Sequence, residues 1–184
     1  MNRIHQRNIQ IILLFLILLA GTAAGSLLCE RHPEWMLWNN MTFRQGMGIL
    51  TEYRFYCIAA PLFWMAVTAA LGLSATGLPL VPCVLFLRGM AFGSVMVRLY
   101  AENQFAEIGK SLLLILPYAY GISFVMLFGA REALRFSVQI TGLLCDRTQE
   151  EETSVKLYII RFSVLFIFTA ILGILQNFLL KNFS

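Results

Sequence analysis

The sequence is poor in the side chains that catalyse reactions and in those that keep a protein dissolved. Only 13% of its 184 residues are charged, whereas soluble domains have about a quarter. The only histidines are His5 and His32, and neither an HExxH pair nor a GxSxG elbow occurs. Two large enzyme classes, zinc proteases and serine hydrolases, are thereby excluded. We expect a protein that is not an enzyme and that holds no cofactor or metal.

Long apolar runs take the place of the missing charge, and 59% of the residues are hydrophobic. About 18 or more apolar residues are needed to cross the roughly 30 Å hydrocarbon core of a bilayer. Five runs meet this length: Ile11–Leu28, Phe55–Leu73, Leu78–Val97, Ser111–Ala130 and Phe162–Leu180. They do not alternate as barrel strands would, so the spans must be helices. The sequence predicts an all-α, multispanning bundle that forms one integral membrane domain over residues 1–184.

The first run has two interpretations. Arg3 and Arg7 precede an apolar core, and the small residues of Gly21–Ser26 resemble the cleavage site of a signal peptide. However, the apolar character continues to Leu28, and the Gly21-xxx-Gly25 spacing suits close packing of membrane helices. We favour an uncleaved membrane span.

The orientation is predicted from lysine and arginine residues beside the spans, which are enriched on the cytoplasmic side. They are almost evenly divided here, so two features decide. Arg3 and Arg7 precede the first span, and the connector 131–161 has five basic residues: Arg131, Arg135, Arg147, Lys156 and Arg161. We therefore expect a multi-pass membrane protein with a cytoplasmic N-terminus and an extracytoplasmic C-terminus.

The loop over residues 29–54 then lies outside the cytoplasm. Its aromatic residues Trp35, Trp38 and Phe43 suit two roles, insertion at the lipid headgroup level or a docking surface for a partner. Cys29 and Cys57 bracket this loop, so they are either a disulfide pair or two free thiols. The net charge of +4 is scattered between the spans rather than gathered in a patch, so no nucleic acid is expected as a partner.

The most informative segment is Gly77–Gly93, GLPLVPCVLFLRGMAFG, because it places one arginine in an otherwise uncharged run. Pro79 and Pro82 each remove a backbone donor, which predicts a broken start to the third span. Gly89 and Gly93 give this span a small face that another helix can approach closely.

Arg88 would lie near the bilayer midplane, where a basic side chain costs about 2.5–3.5 kcal/mol on insertion scales. A structural or assembly role, an ion or substrate path, and snorkelling toward an interface all remain open. The spans contain no acidic partner. The sequence offers instead the phenols of Tyr118 and Tyr120, the amides of Gln176 and Asn177, or carbonyl oxygens freed by the broken helix.

Beyond the fourth run, the pattern changes. Pro117 predicts that Ser111–Leu116 forms an interfacial turn and that the true span begins at Tyr118. Polar residues then recur at helical spacing in the connector 131–161, which predicts an amphipathic cytoplasmic helix ahead of the last span.

The order of these features resembles the stage II sporulation protein M family. The similarity is sharpest at Gly77-Leu78-Pro79-Leu80 and at Phe86-Leu87-Arg88-Gly89, and it is weaker at Leu116-Pro117 and Phe136-Ser137. The resemblance implies a non-enzymatic membrane scaffold that recruits peptidoglycan-degrading partners to the septal membrane during engulfment. It also implies a bacterial cell membrane as the location and cell-wall hydrolases as partners. Membrane lipids and further copies of the chain are expected as partners from the apolar spans and their small-residue faces. The alternative is the membrane subunit of a transporter with a pathway near Arg88.

Overall fold

The structure, a computed structural model, describes residues 3–31, 50–102, 105–144 and 155–183. It describes side chains only within 9–31, 58–94, 96–97, 116–142 and 155–179. Within these backbone ranges the chain is helical except for the turn at residues 73–76, and it has no strands. The helices are α1 (Arg3–Arg31), α2 (Leu50–Gly72), α3 (Gly77–Glu102), α4 (Phe105–Leu144) and α5 (Val155–Phe183). The all-α prediction is confirmed.

Three segments are long and apolar enough to cross a membrane, namely Ile9–Arg31, Gly77–Ser94 and Val155–Leu179. α1 and α5 each have 29 residues, which corresponds to about 44 Å of helix. Their outer surfaces carry exposed large apolar side chains such as Leu16, Ile167 and Phe178, as expected of helices that face lipid. The described part of α2 adds a shorter apolar segment, Ile58–Gly72.

Contacts between the helices show how they run relative to one another. Gly21 and Gly25 on α1 meet Gly89 and Met90 on α3 in the same order, so α1 and α3 are parallel. α2 returns against α3 through a short turn and is parallel to α4, since Met65 meets Gly129 and Gly72 meets Ala133. α5 is antiparallel to α4, because Gly121 contacts Leu172 whereas Phe136 contacts Tyr158. These directions are those of an up-and-down bundle.

α4 is the central helix and contacts each of the other four. It supplies half of the main apolar core, including Ile122, Met126 and Ala133. Leu14 of α1, Met65 of α2 and Leu85 of α3 pack against this face, each about 1% exposed or less. Thus α4 is the element around which the remaining helices are arranged.

Two expected helix boundaries differ from the structure. α3 is continuous from Gly77 to Glu102 rather than broken near its start. Pro79 is its third residue, in the first turn, where backbone N–H groups have no intrahelical acceptor in any case. Pro82 lies inside the helix without interrupting it, as neighbouring elements allow in membrane helices.

α4 likewise passes through Pro117 and continues past Ala130 as one helix of 40 residues. The predicted interfacial turn before Pro117 and the separate amphipathic helix after Ala130 are therefore two ends of one element. The sequence becomes more polar after Ala130, but the helix does not end there, because the residues that follow also favour the helical conformation.

Candidate functional site

The glycines of α1 and α3 form a seam where two backbones touch. The buried residues among the described side chains of α1 recur at helical spacing: Leu14, Leu18, Gly21, Gly25 and Cys29. A Cβ atom added at Gly25 would overlap the backbone of Met90. One added at Gly93 would lie 2.9 Å from the Ser26 nitrogen. Such close approach is the property for which small-xxx-small spacings are used in membranes, and here it joins two helices of the same chain.

Cys29 closes the seam at its far end. It is a free, buried thiol whose Sγ lies 3.8 Å from the carbonyl oxygen of Ser94. The Cys57 side chain lies outside the described residues. Of the two predicted alternatives, the structure shows Cys29 as a free thiol packed against α3.

Arg88 lies next to this seam, inside the bundle rather than on its lipid-facing surface. Its side chain is only 8% exposed. The phenol of Tyr118 on α4, itself 5% exposed, is close enough to interact electrostatically with the guanidinium. Of the partners suggested by the sequence, Tyr118 is therefore one that lies near Arg88.

The other suggested partners are placed differently. Tyr120 is half exposed and its ring packs edge-on against Phe92, with centroids 5.6 Å apart. Gln176 on α5 is 2% exposed, and its side-chain oxygen has no hydrogen-bond partner among the described residues. A buried amide oxygen without a donor costs about 1–3 kcal/mol. Gln176 is therefore, after Arg88, a second polar side chain whose burial in the bundle is costly.

The buried hydroxyl groups have backbone partners. Thr68 donates to the Trp64 carbonyl at 2.8 Å, Ser94 to the Ala91 carbonyl at 2.8 Å and Thr169 to the Leu165 carbonyl at 2.8 Å. Each bond stays within one helix, which is how hydroxyl side chains are satisfied in an apolar surrounding. These three hydroxyls therefore need no partner on another helix.

The turn between α2 and α3 is held by residues from distant parts of the chain. The last carbonyls of a helix lack intrahelical donors. Here Ala69 accepts a hydrogen bond from the Tyr158 hydroxyl at 2.7 Å, and Ser74 accepts one from the Ser137 hydroxyl at 2.8 Å. Gly77 begins α3 beside this bond, and a Cβ atom there would lie 3.0 Å from the Ser137 oxygen and overlap the Leu71 carbonyl. Gly77 is therefore required by close packing of the turn.

A cleft of about 90 Å³ opens at this same end of the bundle, between α4 and α5. Glu132, Arg135 and Gln139 line it from α4, and Tyr158 and Arg161 line it from α5. Arg161 and Glu132 form an ion pair at 2.5 Å. The floor is aromatic, since Phe136 stacks on Tyr158 with centroids 4.4 Å apart.

The sequence did not indicate this cleft. Glu132, Ser137 and Tyr158 were not identified as site residues, because their partners are distant in the chain and no local spacing marks them. The available signal was weak: a carboxylate among the basic residues after the fourth run, and a tyrosine where the last apolar run begins.

The predicted loop aromatics Trp35, Trp38 and Phe43 lie outside the described residues. Among the residues that are described, no group of three His, Cys, Asp or Glu side chains is arranged to hold a metal ion. Comparison of the chain with models of protein families, with curated proteins and with solved structures finds no match.

Proposed function

We propose that this chain is a non-enzymatic integral membrane scaffold that gathers other membrane-associated proteins at the bacterial cell membrane. The observation that supports a structural role best is the way the bundle satisfies its polar interior. The hydroxyls of Thr68, Ser94 and Thr169 are bonded to backbone carbonyls of their own helices, and those of Ser137 and Tyr158 hold α4 and α5 to the turn between α2 and α3. Arg88 is enclosed near Tyr118, beside the seam where the α1 and α3 backbones touch. Such an interior holds the helices in fixed positions, as a scaffold requires.

The partners follow from the resemblance at Gly77-Leu78-Pro79-Leu80 and Phe86-Leu87-Arg88-Gly89. The resemblance implies a scaffold that, in endospore formers, recruits peptidoglycan-degrading enzymes to the septal membrane during engulfment. We propose the same class of partner here. The aromatic loop residues 35–43 are the segment that would present a docking surface outside the cytoplasm.

A transport role is the second candidate, favoured by two polar groups inside the bundle. Arg88 places a positive charge there, and the side-chain oxygen of Gln176, which has no donor in the described part of the chain, offers an acceptor. Intramembrane charges often mark solute or proton pathways. In that case Arg88 would be the residue on which flux depends.

Two measurements on the full chain separate these functions. We expect affinity-tagged protein, cross-linked in its native cells and purified in mild detergent, to retain cell-wall hydrolase activity above that of an unrelated multispanning protein. We also expect proteoliposomes with wild-type protein or with Arg88→Ala to be equally impermeable to ions and small solutes. Solute flux that Arg88→Ala abolishes and Arg88→Lys preserves, together with no hydrolase enrichment, would replace the scaffold with a transporter.

We further propose that the N-terminus is cytoplasmic, on the basis of Arg3, Arg7 and the basic connector 131–161. In a variant with Cys145 as its single cysteine, a membrane-impermeant maleimide should label the protein only after the cells are permeabilised. A matched variant with Ser184→Cys as its single cysteine should be labelled in intact cells. The reverse pattern would establish the opposite orientation.

A further inference from the structure

We propose that the cleft between α4 and α5 binds the phosphate of an anionic phospholipid headgroup, with Arg135 as its main electrostatic contact. This inference goes beyond the scaffold role and does not depend on it. It starts from the balance of charge in the cleft. Two guanidinium groups, Arg135 and Arg161, face one carboxylate, Glu132, which leaves one positive charge in excess.

The excess charge belongs to Arg135. Glu132 is already paired with Arg161, whose side chain is 42% exposed. Among the described residues, Arg135 makes no ion pair, and its side chain is exposed at the mouth of the cleft. Arginine binds phosphate oxygens with two parallel N–H groups. The neighbouring Gln139 amide adds a donor on the same helix.

The position of the cleft favours a lipid as the source of the phosphate. α5 is one of the apolar membrane-crossing segments, and beside the cleft its Ile159 and Ile160 are more than half exposed. A ligand held by Arg135 would thus have apolar helix surface next to it, where an acyl chain can lie. Basic pockets between transmembrane helices at a membrane surface are known to take anionic headgroups.

The size and walls of the cleft agree with a headgroup phosphate. A volume of about 90 Å³ has room for roughly three water molecules, which is comparable to one phosphate group. The stacked rings of Phe136 and Tyr158 make its floor rigid, because Tyr158 is also bonded to the Ala69 carbonyl. A rigid floor means that little ordering is needed when the ligand binds.

Native mass spectrometry of the detergent-purified full chain tests the inference. Binding of phosphatidylglycerol is compared with binding of phosphatidylcholine. Inorganic phosphate is added as a soluble competitor that has the phosphate group without acyl chains. We expect tighter binding of phosphatidylglycerol, weakened about tenfold or more by Arg135→Gln because a charge-assisted contact is lost. Arg135→Lys should recover part of the affinity.

Arg131→Gln is the matched control, since it removes the same charge from α4 at a residue that does not line the cleft. Its affinity should stay close to that of wild type. Glu132→Gln should tighten binding, because it releases Arg161 from its ion pair.

Three results would overturn the inference. Equal binding of the two lipids would remove the preference for negative charge. If Arg131→Gln weakened phosphatidylglycerol binding as much as Arg135→Gln, the lipid would be attracted by the positive charge of the protein surface in general and not by the cleft. Displacement of phosphatidylglycerol by millimolar inorganic phosphate would assign the cleft to a soluble phosphate. If Arg135→Gln does not fold, Arg135→Lys and Glu132→Gln keep the test decisive.

Discussion

Alanine in place of Gly25 or Gly93 is expected to lower the free energy of unfolding in detergent by about 1–3 kcal/mol, the range for overpacked cores. The added methyl group meets backbone rather than a flexible side chain. At Gly25 it overlaps Met90, and at Gly93 it overlaps the Thr22 carbonyl. Neither backbone can move aside without shifting its whole helix, so α1 and α3 must separate. Denaturant titration of the purified protein measures the loss.

Gly142→Ala is the matched control, because beyond the backbone of its own helix no atom of a described residue lies within 4 Å of the position that its Cβ would occupy. There the substitution should be neutral or stabilising by up to about 1 kcal/mol, since alanine favours helix over glycine. Equal losses of unfolding free energy at Gly25, Gly93 and Gly142 would show that the flexibility of glycine matters, and not the contact of the added methyl group with the facing helix.

Gly25→Ala and Gly93→Ala should also increase the distance between residues 29 and 94, at the end of the seam. Because Cys29 lies beside the Ser94 backbone, a Ser94→Cys variant in which Cys29 is the only native cysteine should form a disulfide under mild oxidation. Adding Gly25→Ala or Gly93→Ala should lower the yield, whereas Leu87→Cys, on the exposed face of α3, should not pair with Cys29. An unchanged yield would mean that the helices are not separated.

Ile122→Ala is expected to cost about 2–5 kcal/mol of unfolding free energy, as large-to-small core substitutions do. Ile122 is fully buried in the core around α4. In a membrane the surrounding lipid is as apolar as the protein interior, so the loss comes from packing contacts and the cavity rather than from contact with water.

Ile174→Ala makes the same chemical change on the outer surface of α5, where this residue is 60% exposed. Lipid can fill the space left there, so we expect a loss below about 0.5 kcal/mol, which is usual for surface sites. Comparison of the two denaturation curves checks both values. Similar losses would mean that Ile174 is covered by a partner or a second copy of the chain.

Much of the fold was predictable because length and hydropathy directly determine it. Apolar runs without alternation required helices, and the all-α class is confirmed. Three of the predicted spans coincide with segments that are long and apolar enough to cross a membrane, whereas the count of five stays a prediction. Helix continuity was harder to predict. Proline is costly inside a helix, but its effect depends on position, and Pro79 falls in a first turn.

The candidate site was predictable only where a local spacing marked it. The glycine pairs of α1 and α3 indicated close helix packing, but not that the two pairs pack against each other. Glu132 with Arg161 and Tyr158 with Ala69 join residues far apart in sequence, so one sequence alone offered no reason to connect them.

The bonds that close the α2–α3 turn also impose an order on biosynthesis. Their donors, Ser137 and Tyr158, lie 63 and 89 residues beyond their acceptors. The glycine contacts between α1 and α3 involve no residue beyond Ser94. The Ala69 carbonyl, by contrast, has its Tyr158 donor only once synthesis has reached the last helix. The residues of the glycine seam are therefore all present in the growing chain well before the donors that close the α2–α3 turn.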